Sequence, residues 1–231
     1  MIRILNIIIF KKMLINPKIK LAPHMVAVHP YTLLHGMKLM VCDMSGTTVQ
    51  ENGIAYSTIH KIVNNYKDVG IHPWHRSKNE DADVFIKSNF VKKAYLKNSG
   101  INYIHTKLPE FFVRVRNRGI KIALDTRFPP HIQDDIVERL ELDKLIDCHI
   151  SSYSVSKGRP FPYIIHNLME QLGIEDVRTV VKIGDSCKDI KMGRNAGCGL
   201  VVGVLTGSDN SDQLFDAGAD VVVDCIVDLI R

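Results

Sequence analysis

An α/β fold built on a doubly wound parallel sheet is the fold class predicted for this chain, on three observations. From residue 120 onward, short apolar runs alternate with longer stretches of helical period. Three of the runs stop at a carboxylate: Asp43, Asp125 and, one residue after Gly184, Asp185. No internal repeat or low-complexity tract interrupts the alternation. Parallel neighbours cannot be joined by a tight turn, so strand, helix and strand in succession imply crossovers between strands of one sheet. With 231 residues, 45% of them apolar, the chain can bury one sizeable core, or one core carrying a small insertion.

In chain order, residues 1–36 read as a basic extension with little order of its own. Residues 1–37 hold Arg3, Lys11, Lys12, Lys18 and Lys20 and no acid, which accounts for the whole formal charge of +5. The remainder is neutral and offers no basic face for nucleic acid. Ile4–Phe10 is apolar but too short to span a bilayer, and no small-residue cleavage pattern follows it. The segment is therefore read as an extension, or as sequence upstream of a start at Met25 or Met37. The first strand is expected at 37–43, followed by a polar turn at Gln50-Glu51-Asn52-Gly53 and a helix over Ile54–Val69 that ends at Gly70. His72-Pro73-Trp74-His75 reads as a turn and Val84–Leu96 as a second amphipathic helix.

The regular part follows. A helix is expected around Glu110–Asn117, strands at Ile120–Leu124, Leu145–Ser151, Thr179–Gly184, Gly199–Val204 and Asp220–Val223, and helices at Pro130–Leu140, Pro162–Leu172, Cys187–Ala196 and Asp212–Ala217. The five cysteines are odd in number and scattered, with no Cys-x-x-Cys pair, so they suit a reducing, cytoplasmic setting better than a disulfide framework or a zinc site.

Open α/β sheets bind ligands outside the carboxyl ends of their strands. There the chain places Asp43, then Asp125-Thr126, then Lys157-Gly158-Arg159-Pro160, then Gly184-Asp185-Ser186-Cys187-Lys188-Asp189. Each piece alone has an ordinary explanation as a helix cap, a turn or a solvated charge. Together they describe a phosphoryl-handling site. Asp43 and Asp185 could share one Mg2+, a hard cation that favours carboxylate oxygens. Asp43 could then attack phosphorus, while Thr126 donates to a phosphoryl oxygen and Arg159 stabilises the charge spread over the others. The backbone N–H groups of the Ser45–Thr47 turn, Gly46 among them, are expected to complete a cradle for the anion.

These four pieces resemble the four motifs of the haloacid dehalogenase superfamily. DMSGTTV, GRPFP and GDSCKDIKMGRNAGC most resemble its phosphonoacetaldehyde hydrolase (phosphonatase)-like branch. The resemblance implies a Rossmann-like core at 37–53 and 108–231, with a small, shortened helical cap at 54–107 inserted after the first motif. It also implies one Mg2+ and an aspartyl-enzyme intermediate. By the same resemblance Asp43 is the nucleophile, Thr126 the hydroxyl of the second motif and Arg159 the basic residue of the third. Asp43, Asp185 and the Ser45 carbonyl would hold the metal, with Asp189 supporting it.

Ser45 departs from the phosphatases of the superfamily, which carry there a second aspartate that protonates the leaving group. Help of that kind contributes roughly 10²–10⁴ in rate, and a serine does not supply it at neutral pH. The phosphonatase branch resembles this chain in having a small residue at that place, and uses a cap lysine that forms a Schiff base with the aldehyde. Lys78 is the best-placed candidate, though the residues before it, HPWHRS, are not the expected glycine-containing turn, and a solvated surface charge is the alternative. Arg127 stands where the branch has glycine, and either adds a phosphate contact or crowds the pocket. Expected as substrate is a small phosphorylated or phosphonylated molecule, with no nucleic acid or membrane as partner and a homodimer compatible with the sequence. The competing readings are a phosphatase of low efficiency and a non-catalytic homologue that binds a ligand or partner.

Overall fold

The computed structural model describes residues 18–25, 33–51 and 100–230. Its elements in chain order are β1 (Ile19–Leu21), β2 (Leu39–Asp43), β3 (Val49–Gln50), β4 (Asn102–Tyr103), α1 (Leu108–Arg116), β5 (Lys121–Thr126), α2 (Pro130–Arg139), β6 (Cys148–Ser151), α3 (Tyr163–Leu172), β7 (Val180–Gly184), α4 (Cys187–Ala196), β8 (Leu200–Val204), α5 (Ser211–Asp216) and β9 (Val221–Val223). Seven strands form one sheet in the order β1-β9-β8-β7-β2-β5-β6, parallel throughout except for β1. The expected α/β architecture is present.

The sheet is wound on both faces because its central strands are apolar on both. Every residue of β2, β7 and β8 is buried, as expected of parallel strands covered by helices. One face packs on α1 and α2 through Phe111, Phe112, Ile132 and Ile136. The other packs on α3, α4 and α5 through Ile164, Leu168, Ile190 and Leu214. In α1 the buried residues Leu108, Phe111, Phe112 and Val115 recur at the spacing of one helical face. After β2 the chain builds β5 and β6 on one side and then crosses to build β7, β8 and β9 on the other. The strand order therefore reverses at β2, which opens a crevice above its carboxyl end.

The expected extension over 1–36 is corrected where it is described. Ile19–Leu21 forms an antiparallel edge strand, with Ile19 opposite Val223 and Leu21 opposite Val221, and Leu33 and Leu34 are buried in the core. Three residues carry too little pattern to declare a strand, and the β9 edge supplies the pairing that makes one. Asp220 fixes the same region. Its buried carboxylate accepts from the backbone N–H of Val201 (2.9 Å), from Arg194 on α4, and faces His24 Nε2 at 2.9 Å. The strand expected from Leu145 begins only at Cys148, because Leu142–Lys144 forms a short 3-10 turn. β3 and β4, missed in the sequence, pair antiparallel, so the segment between them leaves and rejoins the core at neighbouring points. The expected helices Ile54–Val69 and Val84–Leu96, the turn around His72 and His75, and Lys78 lie outside the described residues.

Asp220→Ala leaves the Val201 N–H and the Arg194 guanidinium without this acceptor. It is expected to lower unfolding free energy by about 1–3 kcal/mol, measured as a fall in the urea midpoint with an unchanged slope.

Candidate active site

The crevice is lined by the residues that close the three central strands. Asp43 ends β2 and lies directly beside Asp125 in β5; Thr126 follows, and Gly184 ends β7 with Asp185 next in the chain. Both Asp43 and Asp185 are buried, at 4% and 6% exposure, and Asp125 and Asp189 are wholly buried. Four carboxylates so close together would repel one another, and two buried cations hold three of them, Asp43, Asp125 and Asp189. Arg159 donates from Nη2 to Asp43 Oδ1 at 2.5 Å, and from Nε and Nη2 to Asp125 Oδ2 at 2.9 and 2.5 Å. Its Nη1 stands 2.8 Å from Asp189 Oδ1. Lys182, rising from the middle of β7, places Nζ 2.5 Å from Asp125 Oδ1 and 3.2 Å from Asp189 Oδ1.

The protonation states follow from this arrangement. Burial pushes the Asp43 carboxyl well above the usual carboxylate range; Arg159 works against that shift, while Asp189, Asp185 and Asp125 add to it. For Asp189 burial also acts upward, but Arg159 and Lys182, helped by the Ser186 hydroxyl, hold it below the ordinary value. Burial works against the charged form of Arg159 and of Lys182 too, yet Asp125 and Asp189 hold both protonated more firmly than in water.

Local sequence explains the geometry. Ser186 caps α4 by accepting from Asp189 N–H, and its hydroxyl donates to Asp189 Oδ2 at 2.5 Å, so the cap also fixes that carboxylate. Gly46 lies at φ +80°, and a Cβ there would come 2.8 Å from Asp185 Oδ2. A Cβ on Gly207 would fall 1.9 Å from the same oxygen, which accepts from Ser208 N–H at 2.8 Å. The two glycines and the Ser208 amide thus form a close-fitting wall around Asp185. Thr206, from the same loop, donates to Gly46 O at 2.6 Å and ties the wall to the turn after β2.

The residues present fit a divalent cation. One oxygen each from Asp43, Asp185 and Asp189 lies within 4.8 Å of the other two. Asp189 Oδ1 is buried within ion-pair distance of both cations, yet receives no hydrogen bond of good geometry among the described residues. An all-carboxylate donor set suits Mg2+. Asp189, expected only to support the metal, offers an oxygen to the same cluster.

Of the other expected residues, Thr126 is buried and its Oγ1 accepts from Phe128 N–H at 3.2 Å, leaving its own proton to donate. The expected backbone cradle needs correction at two positions. Gly46 N–H donates to Val49 O (2.9 Å) and Thr47 N–H to Met44 O (3.2 Å), because the turn closes on itself. Thr47 instead directs its hydroxyl to Asp185 Oδ1 at 3.4 Å. Arg127 is exposed, and among the described residues it makes no ion pair with the site carboxylates. Ser45 donates to the carboxylate of Glu51. Sequence reasoning missed Lys182, Glu51 and the 206–208 loop. A lysine within the apolar run Val180–Gly184 was the signal for the first, and a glycine in the loop that follows Leu200–Val204 the signal for the last.

A sequence model of haloacid dehalogenase-like hydrolases matches residues 37–197. A phosphonoacetaldehyde hydrolase of Bacillus cereus (strain AH187) is 33% identical over 100 residues, a stretch covering 43% of this chain and 38% of that protein. The match thus spans well under half the length of this curated relative. Among solved structures, a phosphonoacetaldehyde hydrolase like protein from Oleispira antarctica aligns with TM-score 0.67 at 19% identity, over 89% of this chain and 94% of its own. A hydrolase from Pseudomonas syringae aligns with TM-score 0.65 at 18% identity, over 84% and 96%. These structures share the fold.

Gly207→Ala forces a Cβ onto the Asp185 carboxylate. Mg2+ affinity, by isothermal titration calorimetry, is expected to fall about tenfold or more while the circular dichroism spectrum is retained; an unchanged affinity would remove Asp185 from the cation site.

Proposed function

Because the chain belongs to the haloacid dehalogenase-like hydrolases, we propose that it cleaves a small phosphonate or phosphate ester by way of an aspartyl-phosphate on Asp43. The observation that carries this reading is the Asp43 carboxylate itself. It is held at 2.5 Å by Arg159 and clustered with Asp185 and Asp189 at the carboxyl end of the strand where the sheet order reverses. A bound Mg2+, held by Asp43, Asp185 and Asp189 with the Ser45 carbonyl as a further ligand, would supply positive charge that offsets the carboxylates and the incoming anion.

An Asp43 oxygen attacks phosphorus, and the bond from phosphorus to carbon or to the ester oxygen breaks as the aspartyl-phosphate forms. Only the ionised carboxylate is a nucleophile; burial opposes ionisation, and the Arg159 contact works in its favour. Arg159 and the Thr126 hydroxyl meet the charge that develops on the phosphoryl oxygens. Water then cleaves the aspartyl-phosphate, releasing phosphate and restoring Asp43. For a phosphonoaldehyde, the electron pair of the broken P–C bond passes to carbon, delocalised while the carbonyl is held as an imine on Lys78; that carbon then takes a proton, and water hydrolyses the imine to release the aldehyde and restore the lysine amine. Residues 54–107 act as the cap in this reading, supported by the adjacency of β3 and β4.

Support for the phosphonate over the phosphate ester comes from Ser45 and from the similarity to phosphonoacetaldehyde hydrolase. The contact between Ser45 and Glu51 favours a second reading, hydrolysis of phosphate monoesters, because it brings a carboxylate to the place of the missing acid. A reducing, cytoplasmic setting agrees with all five cysteines being free thiols. No helix of the described residues is long and apolar enough to cross a membrane.

Incubation with phosphonoacetaldehyde and Mg2+, with and without borohydride, is expected to show phosphate release that falls at least about 10³-fold in Asp43→Asn. Borohydride inactivation should require both substrate and Lys78, and its absence from wild type would remove the Schiff-base step. In the second reading Glu51→Gln lowers turnover of a phosphomonoester panel by about 10²-fold and leaves phosphonate cleavage untouched.

A further inference from the structure

Lys182 has no part in the reaction as described, yet it is wholly buried in the central sheet. It stands opposite Val41 in β2, which in turn pairs with Ala123 in β5, two residues below the level at which Asp43 pairs with Asp125. Side chains two residues apart on a strand share a face. Lys182 therefore lies under the site on the same face as Asp43 and Asp125, and its ammonium reaches upward to Asp125 Oδ1 and Asp189 Oδ1.

The neighbouring helix makes room for it. Gly193 sits inside α4, where glycine is disfavoured relative to alanine by about 1 kcal/mol. A Cβ at that position would come 2.9 Å from Lys182 Cβ and 3.1 Å from its Cγ. The helix thus gives up propensity exactly where the lysine stem passes under it, so a large charged side chain in this strand is accommodated on both sides.

Asp125 is the link to chemistry. Its two oxygens are divided: Oδ1 goes to Lys182, and Oδ2 takes Arg159 Nε and Nη2. With one oxygen anchored from below, the carboxylate plane is fixed, and so is the face of the guanidinium that meets Asp43.

We propose that Lys182 is a positioning residue for the hydrolysis: it fixes Asp125 and Asp189 in place, so that Arg159 is aimed at the phosphoryl group on Asp43. This rests on the hydrolase reading above. The group that touches substrate is Arg159, and Lys182 acts through Asp125.

The test uses the full chain with Lys182→Met and, since an uncharged alkyl chain leaves Asp125 Oδ1 buried and unpaired, Lys182→Gln, which keeps a donor without the charge. In both, kcat and kcat/KM are expected to fall together by about tenfold or more while KM stays within about twofold, the pattern of an interaction made in the transition state. Orthovanadate binding in the presence of Mg2+, followed by calorimetry, is expected to weaken by about the same factor. A lowered melting temperature with unchanged kcat and unchanged vanadate affinity in the folded Lys182→Gln protein would reduce Lys182 to a core ion pair and overturn the proposal. The calorimetric arm needs no turnover. Wild-type protein that cleaves neither phosphonate nor phosphomonoester would sink the hydrolase reading, and vanadate affinity would still decide whether Lys182 orders the anion site.

Discussion

Six ionisable side chains, Asp43, Asp125, Asp185, Asp189, Arg159 and Lys182, are buried together at the carboxyl end of β2, β5 and β7, and none could stay charged there alone. Removing an ion from water costs several kcal/mol even after relaxation, and attraction in the interior offsets that cost only when every partner is in place. The arrangement therefore demands strands that end at the same level, a loop that delivers Arg159, and a helix that starts beside Asp189. A sheet whose order reverses at β2 provides all three, because its central strands deliver their ends to one crevice.

The same constraint explains the small residues around the site. Asp185 is held by an amide and two glycines rather than by a cation, so it keeps charge available for a metal while its position is set by close backbone approach. Asp125, by contrast, is satisfied on both oxygens by cations and has nothing left to offer a ligand. Two aspartates within one cluster thus take different tasks, one holding the site together and one facing the ligand. Asp43 lies between these extremes: a single close cation opposes burial and neighbouring carboxylates, which leaves its ionisation sensitive to what else occupies the crevice.

Position 45 shows how a local departure is answered by the surroundings. The sequence offers a serine where phosphatases of this family resemble one another in carrying an acid, and the fold turns that serine toward Glu51, six residues on. The turn from Met44 to Val49 makes this contact, since three successive amides close on Met44 O and bring the chain back on itself. A carboxylate is thereby near the site without being in the motif.

The alternation of apolar runs and helical patterns was enough to determine an α/β sheet with crossovers, because periodicity is a property of neighbouring residues. Asp43 and Thr126, which end strands, and Asp185, which follows one, stand at boundaries that local pattern marks, and Arg159 and Asp189 lie in the loop and the first helical turn that follow such strands. Tertiary structure decided what depends on distant partners. Lys182 reads as an interruption of an apolar strand until Asp125 and Asp189, distant or adjacent in sequence, meet its ammonium. Ile19–Leu21 is a strand only because β9 offers an open edge. The Gly46 and Thr47 amides looked available until the turn was seen to consume them. Pattern along a chain fixes which elements form, while the pairing of buried charges is set by contacts between elements, and those follow from how the sheet is ordered.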